Sequence, residues 1–163
     1  MPYAPRYTNL VTMFLEATAK YGDKPLFGER KPNGWQWQTY TQFGRAVADA
    51  RAGLHGLGVA SGDRIAIISN NRLEWAICAY GTYTVGATYV PMYEAQLDKE
   101  WLYILRDSGA KACIVTSDGV EQRIRSLQAD LPELQHVVNI EGDSYRRHVA
   151  AAKQKSSRAT SAT

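Results

Sequence analysis

The hydrophobic positions of this chain follow two different periods and change from one to the other several times. Apolar residues recur at helical spacing on one face of residues 10–21 and again after Thr39. Thr39 and Gln42 are spaced as in a capping box, so we predict a helix that begins there. Gly56 and Gly58 are expected to end it.

Between these two helices the period is two, which is typical of β-strands. Alternating apolar residues lie on both sides of Pro32-Asn33-Gly34, over residues 26–27 and 35–39. An Asn-Gly pair between such segments favours a hairpin, because both residues tolerate the positive φ of a type I′ turn. We therefore predict a β-hairpin with a type I′ turn.

After residue 58 the chain alternates between short apolar runs and helical segments. The apolar runs, which predict buried strands, cover residues 65–68, 88–90, 112–115 and 136–140. Asn71-x-x-Glu74, Asp98 and a position near residue 119 open the helices between them. Strand, helix and strand repeated three times indicate βαβ crossovers. The predicted fold class is α/β, a β-hairpin followed by a βαβαβαβ unit with a mostly parallel sheet and flanking helices.

The positive charge of the chain is concentrated at one end. The net charge is +3, from 19 basic and 16 acidic residues, and residues 144–163 hold five of the basic residues and none of the acidic ones. The remaining 143 positions are mildly acidic, which excludes nucleic-acid binding by the body of the chain. The end is rich in Ala, Ser, Thr and Lys. We therefore predict a folded domain over residues 1–143 and a disordered basic tail over 144–163.

One uncharged stretch, residues 75–93, approaches the length of a membrane span, which is about 20 residues. It contains Pro91 and no leucine, so its hydrophobicity is weak. We predict a buried helix that runs into a buried strand, with a membrane span as the alternative. Cys78 and Cys113 lie in apolar runs without metal-site spacing. We expect two buried free thiols in a reducing cytosol and no structural zinc.

Signatures of common catalytic sites are absent from the sequence. The glycines of residues 53–58 end a helix and precede a strand, which is the reverse of the dinucleotide-binding order. Gly-Lys-Ser/Thr, His-Glu-x-x-His and Gly-x-Ser-x-Gly do not occur. The histidines at positions 55, 136 and 148 have no neighbouring nucleophile or carboxylate pattern, so we expect structural or solvent-exposed roles. We assign no catalytic, cofactor-binding or metal-binding residue.

Several other residues are explained by structural roles, without a role in catalysis or ligand binding. We expect Glu74 to be a capping residue and Glu94 to be a loop charge. The aromatic set is expected to serve core and interface packing rather than a binding platform; its members are Trp35, Trp37, Trp75 and Trp101.

Two stretches carry a more specific resemblance. Residues 39–43, Thr-Tyr-Thr-Gln-Phe, resemble the first signature of the adenylate-forming enzymes, and residues 85–93, Val-Gly-Ala-Thr-Tyr-Val-Pro-Met-Tyr, resemble the second. By their places, at a helix start and a strand end, both are expected to form the fold rather than to catalyse. Further stretches resemble fatty-acyl and related acyl-CoA synthetases; they are residues 58–66, 69–75 and 104–111. Tyr93, which follows Pro91-Met92, resembles the residue that the long-chain fatty-acid ligases have at this position.

The resemblance covers about residues 8–143 and implies the N-terminal portion of the large domain of an adenylate-forming acyl-CoA synthetase. The intact family uses ATP, Mg²⁺ and coenzyme A to convert a fatty acid to an acyl-adenylate and then to a thioester. Its Ser/Thr/Gly-rich loop ending in Pro-Lys-Gly does not occur in this sequence, nor do its later motifs. We expect the chain alone to bind no cofactor and to be inactive, although whether it is itself an enzyme is left open. The alternative is a stand-alone small α/β binding or interaction module.

The same resemblance sets expectations for partners and location. A fatty acid would be the substrate of the intact enzyme, and we expect no nucleic-acid partner and no transmembrane segment. The resemblance implies a cytoplasmic protein, and peripheral contact with a membrane is compatible with that location. The last predicted strand, residues 136–140, would leave an unpaired edge, so self-association or a homodimer is expected.

Overall fold

The computed structural model describes residues 6–142, and two of its strands form a sheet of their own. The elements in chain order are α1 (Leu10–Tyr21), β1 (Pro25–Lys31), β2 (Gly34–Thr39), α2 (Tyr40–Gly56), β3 (Arg64–Ile68), α3 (Leu73–Val85), β4 (Thr88–Met92), α4 (Asp98–Ser108), β5 (Ala112–Val115), α5 (Asp118–Leu127) and β6 (His136–Asn139). A short 3₁₀ turn, Gln128–Asp130, extends α5. The predicted order of helices and strands is therefore confirmed.

The larger sheet has four strands in the order β4-β3-β5-β6, and all of its pairings are parallel. The predicted α/β class, a hairpin followed by a parallel sheet, is confirmed. Among the described residues β6 pairs with β5 alone, so the last strand is an edge strand as predicted. Strand β4 forms the opposite edge.

Helices cover both faces of this sheet because its strands are apolar on both sides. On one face Ile65 and Ile67 pack with residues of α2 and α3, including Leu54 and Cys78. On the other face the sheet packs against α4 and α5; that cluster includes Ile68, Cys113, Trp101, Leu105 and Ile124. The four strand residues 65–68 are fully buried, as expected for a strand in the middle of a parallel sheet.

Helix α1 and the hairpin attach to the outside of this core through an aromatic cluster. Phe43 of α2 lies 5.7 Å from Phe14 of α1 and 5.1 Å from Phe27 of β1, measured between ring centroids. Tyr80 of α3 is 5.0 Å from Phe14. One residue of α2 thus holds together the first helix, the hairpin and the body of the fold.

The hairpin is confirmed, but the predicted type I′ turn is wrong. Lys31 pairs with Gly34, which leaves Pro32 and Asn33 as the loop, and no residue other than glycine has a positive φ within residues 6–142. Proline fixes φ near −65° and cannot take the first central position of a type I′ turn. Proline at the second position and glycine at the fourth are typical of a type I turn.

The start of α3 also differs from the prediction. Asn71 does not cap the helix; Arg72 occupies the N-cap position, and its side chain makes no cap bond. Glu74 lies in the first turn but bonds the Arg72 guanidinium instead of acting as a cap. The uncharged stretch 75–93 is the predicted helix and strand, α3 and β4. Across residues 6–142, no helix is both long enough and apolar enough to cross a bilayer. The predicted basic tail lies outside the described residues.

Candidate functional site at the carboxyl edge of the sheet

The strand order creates a switch point between β3 and β5. Strand β4 lies on one side of β3, while β5 and β6 lie on the other, so the chain reverses direction across the sheet after β4. Doubly wound sheets bind their ligands beyond the carboxyl ends of the strands at such a point. We therefore expect a ligand-binding site at the loops that follow Ile68 and Val115.

Glu94 occupies this position. Asn70, just after β3, donates its side-chain N–H to Glu94 Oε2 at 2.6 Å. Thr116, just after β5, directs its hydroxyl to Glu94 Oε1 and lies 3.4 Å from the carbonyl oxygen of Ile68. Because Glu94 itself follows β4, its carboxylate connects the ends of three adjacent strands.

A second polar group closes the end of β6. Asn139 is almost fully buried and donates its side-chain N–H to Asp118 Oδ1 at 2.8 Å, at the start of α5. Its side-chain oxygen accepts the backbone N–H groups of Glu141 and Gly142 at 3.0 and 3.3 Å. One buried amide therefore fixes both the chain after β6 and the start of the neighbouring helix.

Arg72 joins two acids at the same edge. Its Nε donates to Glu74 Oε2 at 2.7 Å and its Nη1 donates to Glu141 Oε1 at 2.6 Å. Burial is the largest influence on the pKa of Glu74 and raises it, but the bond from Arg72, the backbone N–H of Glu74 itself and the charges of Arg72 and Lys31 together outweigh burial and hold that pKa below its usual value. The same two bonds, Glu74 first, raise the pKa of Arg72. The guanidinium is thus neutralised within the protein.

A cleft of about 790 Å³ lies beside this edge, between the inner face of the hairpin and the start of α3. The hairpin contributes Phe27 and Gln38, among others, and the opposite wall is the segment 70–76, which includes Arg72 and Glu74. The walls combine apolar surface with amides and paired charges. The cleft offers hydrogen-bonding groups to an occupant, but its main cation is already paired.

Two features common at phosphate-binding sites are not found among the described residues at this edge. Within residues 6–142 no cluster of His, Cys, Asp and Glu could hold a metal ion. The segments that follow β3 and β5, Ser-Asn-Asn-Arg and Thr-Ser, contain no glycine to let backbone N–H groups approach a phosphate. At the start of α5 the Ser117 hydroxyl already accepts the N–H of Val120. The arrangement can position neighbouring groups, but the described residues supply no phosphate cradle.

The two signature stretches lie where the sequence predicted. Thr39 accepts the N–H of Gln42 at 3.2 Å while the Gln42 side chain accepts the N–H of Thr39 at 2.8 Å, a complete capping box at the start of α2. Gly86 ends α3 with φ +81°, and a Cβ there would lie 2.7 Å from Ser61 Oγ. Both signatures therefore serve the fold.

A comparison with known proteins decides the family. The family model for AMP-binding enzymes matches residues 14–162, most of the chain. The chain belongs to the AMP-binding enzyme family. Its match continues past residue 142 into residues that the structure does not describe.

Named relatives of this family member include acyl-CoA ligases. The long-chain-fatty-acid–CoA ligase FadD15 of Mycobacterium tuberculosis is 29% identical over 136 residues, which are 83% of this chain and 23% of FadD15. The anthranilate CoA ligase AuaEII, solved in complex with anthranoyl-AMP, is 26% identical with a TM-score of 0.78, over 91% of this chain and 28% of that one. The N-terminal domain of FACL13 from Mycobacterium tuberculosis, solved with an inhibitor bound, is 26% identical with a TM-score of 0.75, over 88% and 36%.

These comparisons confirm the predicted resemblance to the N-terminal part of acyl-CoA synthetases. The chain spans about a fifth of the length of the curated relatives it matches. The activity of those whole proteins is therefore a matter for proposal.

Other predicted residues of this family member have mixed outcomes. Cys78 and Cys113 are buried and free, as expected, and burial raises the pKa of each thiol to about 12. His55 is exposed and His136 is half-buried, each at an element end, whereas His148 lies outside the described residues. That the chain has no catalytic, cofactor-binding or metal-binding residue stays a prediction.

Core packing is confirmed for two of the four tryptophans, and interface packing by the other two stays a prediction. Trp101 is fully buried under Arg123, and Trp75 packs edge-on against Tyr89. Trp35 and Trp37 are 62% and 54% exposed, so they are not core residues. The reason is that no other described element covers the outer face of the hairpin.

Sequence reasoning missed the polar network at the carboxyl edge. Glu94 is in a loop as expected, but it has two specific partners rather than only solvent. A signal was present, because Thr116 and Asn139 are polar residues directly attached to fully apolar runs. Which of them meet depends on the strand order, and periodicity does not reveal strand order.

Proposed function

We propose that this chain is the N-terminal part of a fatty-acid–CoA ligase, an enzyme that forms an acyl-adenylate from ATP and then an acyl-CoA thioester. Membership of the AMP-binding enzyme family and the printed name of FadD15 support this proposal. Tyr93 after Pro91-Met92, as in long-chain fatty-acid ligases, supports a fatty acid over the anthranilate of AuaEII.

We also propose that the isolated chain is inactive, and the observation behind this is which residues lie at the switch point between β3 and β5. Glu94 bonds Asn70 and Thr116 at the crevice where a doubly wound sheet would hold its ligand, and the loops that follow β3 and β5 have no glycine. Charge stabilisation during phosphate chemistry needs preorganised donors or a metal ion at the reacting oxygens. The isolated chain accordingly forms no acyl-adenylate. ATP, Mg²⁺ and coenzyme A belong to the intact enzyme, with no residue of this chain assigned to them.

Pyrophosphate exchange tests the inactivity of the isolated chain. The purified chain is incubated with ATP, Mg²⁺ and labelled pyrophosphate, with a long-chain fatty acid or with anthranilate. We expect exchange at the level of a blank in every case. Exchange that depends on the fatty acid would show that the chain holds a working nucleotide site and would overturn the proposal.

The edges of the sheet support self-association, which the proposal includes. Strands β4 and β6 each pair on one side only within residues 6–142, and an unpaired edge is a template for another chain. The proposal also includes a cytoplasmic location, in line with two buried free thiols.

A stand-alone α/β interaction module is the second candidate. The observation in its favour is that the sheet is already covered by helices on both faces, with its central strand fully buried. Sedimentation across a range of concentrations separates the two. Concentration-dependent oligomers support a part that needs partners, whereas a sharp monomer that unfolds cooperatively favours the module.

A further inference from the structure

The outer face of the hairpin is built from four residues that the strand register places together. Arg30 pairs with Trp35 and Gly28 pairs with Trp37 in the antiparallel ladder. Side chains of directly opposed residues lie on the same face of a sheet. The opposite, inner face carries most of the hairpin residues that line the cleft, including Phe27 and Gln38.

The two tryptophans form a fixed, exposed platform. Their ring centroids are 5.9 Å apart with an interplanar angle of 27°, so the rings stack. The Trp37 ring lies directly on Gly28, where a Cβ would come within 2.8 Å of it. Each tryptophan residue is more than half exposed, and neither belongs to a core cluster of the described residues. The stacked indole rings therefore expose apolar surface to water.

The charge on this face is positive. Arg30 stands opposite Trp35 and has no ion-pair partner within residues 6–142. Glu29, its acidic neighbour, is on the inner face and pairs with Lys31. The face therefore combines indole rings with one available guanidinium.

Size and chemistry favour a lipid surface over a second protein. A stable protein interface needs about 800 Å² from each partner. Two partly exposed tryptophans offer about 300 Å². Indole rings concentrate at the boundary between lipid headgroups and acyl chains, and a nearby cation is attracted to anionic headgroups.

We propose that this hairpin face docks on an anionic lipid surface, with Trp35 and Trp37 at the headgroup–acyl boundary and Arg30 at the lipid phosphates. The proposal does not depend on ligase activity, because the residues involved are distant in sequence from the carboxyl-edge network and the binding needs no nucleotide. It gives a specific surface to the peripheral membrane contact expected above.

Vesicle binding by the full chain tests the proposal. Phosphatidylcholine vesicles, with or without phosphatidylglycerol, are mixed with the wild type, with Trp35→Ala/Trp37→Ala and with Arg30→Glu. Binding to the anionic vesicles alone is not decisive, because residues 144–163 carry five basic residues. The decisive comparison is between variants that keep those residues. We expect the double tryptophan variant to bind anionic vesicles at least about tenfold more weakly.

Intrinsic fluorescence gives a second measurement on the same samples. Trp101 is buried and Trp75 is half-buried, so a blue shift and protection from iodide on binding report mainly on Trp35 and Trp37. Arg30→Glu should weaken binding to anionic vesicles and leave the weaker binding to neutral vesicles unchanged. Added salt should weaken binding to anionic vesicles more than Arg30→Glu does, because salt also screens the five basic residues of 144–163.

Tyr103→Ala is the matched control, because Tyr103 is 68% exposed on α4, outside the hairpin. It should bind as the wild type does, and all variants should keep the unfolding midpoint of the wild type. Equal vesicle binding by the wild type and the double tryptophan variant would overturn the proposal. So would a wild-type dimer that Trp35→Ala/Trp37→Ala converts to a monomer in the absence of lipid, since that result would assign the face to a second copy.

Discussion

The two ends of the parallel sheet are held together in different ways. At the amino end, long basic side chains bond mainly to backbone carbonyl oxygens. Arg64 donates to the carbonyl oxygens of Ser108 and Gly109 at 2.7 and 3.0 Å. Lys111 donates to the carbonyl oxygen of Gly58 at 2.7 Å and to the carboxylate of Asp63 at 2.9 Å. At the carboxyl end, polar side chains chiefly bond one another, beside an open cleft.

The difference separates stability from function within one sheet. Backbone groups at the amino end have fixed partners, so that end depends on a few residues that cannot change without cost. The contacts of the carboxyl end are side-chain contacts around the place where this architecture binds ligands. We therefore expect substitutions to cost more at the amino end. Three predictions test that ranking, and a fourth concerns the layers between the ends.

The largest effect is expected for Gly86→Ala at the amino end. Its φ of +81° strains any other residue, and the new Cβ would lie 2.7 Å from Ser61 Oγ. We predict a loss of about 2 to 3 kcal/mol in the free energy of unfolding. Urea denaturation measures this loss.

The control is Gly119→Ala, a helical site with no atom within 4 Å of the new Cβ, where we expect a gain in stability of up to about 1 kcal/mol. Equal effects at the two glycines would refute the explanation.

Lys111→Met comes next, at about 1 to 2 kcal/mol, because it leaves the carbonyl oxygen of Gly58 without its side-chain donor and leaves Asp63 with only the Ala60 N–H. The Ala60 N–H first, and Lys111 second, hold the pKa of Asp63 below its ordinary value of 3.8. Stability from this group is thus complete above that value and lost as pH falls through the lower, folded pKa. Unfolding of the wild type between about pH 5 and pH 3 should show this loss. Lys111→Met should lose less over the same range; an identical slope would contradict the role of Lys111.

A smaller effect is expected for Glu94→Ala at the carboxyl end. Thr116 can turn its hydroxyl to the carbonyl oxygen of Ile68, 3.4 Å away, and Asn70 can reach solvent. We predict a loss of about 1 kcal/mol or less by urea denaturation. Glu133→Ala, which removes an exposed carboxylate near β6, is the control and should change stability by less than about 0.5 kcal/mol. A larger loss at Glu94 than at Lys111 would reverse the ranking of the two ends.

The smallest signal is expected from the two thiols, which lie between the ends. Cys78 packs in the layer of α2 and α3, and Cys113 packs in the layer of α4 and α5. Their pKa values of about 12 leave almost no thiolate at neutral pH. We predict no labelling by a thiol reagent under native conditions and full labelling of both in denaturant. Rapid labelling of one alone would show that its layer opens separately.

Much of the fold could be predicted because each element has a local cause. The capping box at Thr39, the glycine after α4 and the apolar run of β3 are all encoded within a few residues. The turn at Pro32 and the start of α3 were predicted wrongly. At both places a residue with a second constraint, the ring of Pro32 and the ion pairs of Arg72, overrides the simpler signal.

The carboxyl-edge site could not be predicted because its contacts are long-range. Glu94 and Thr116 are 22 positions apart, and Arg72 and Glu141 are 69 apart. Only the order β4-β3-β5-β6 brings such pairs together. The exposure of Trp35 and Trp37 has the same origin, since an alternating pattern shows that a strand has two faces but not which of them is covered.

Transplanting this chain into an active relative tests most directly whether it is part of a fatty-acid–CoA ligase. In the chimera, the matched residues of this chain replace the corresponding 23% of FadD15 from Mycobacterium tuberculosis. The readout is pyrophosphate exchange that depends on a long-chain fatty acid, beside unmodified FadD15 and the isolated chain. We predict exchange by the chimera and none by the isolated chain. A chimera that folds cooperatively and binds ATP but shows no exchange would contradict the proposal.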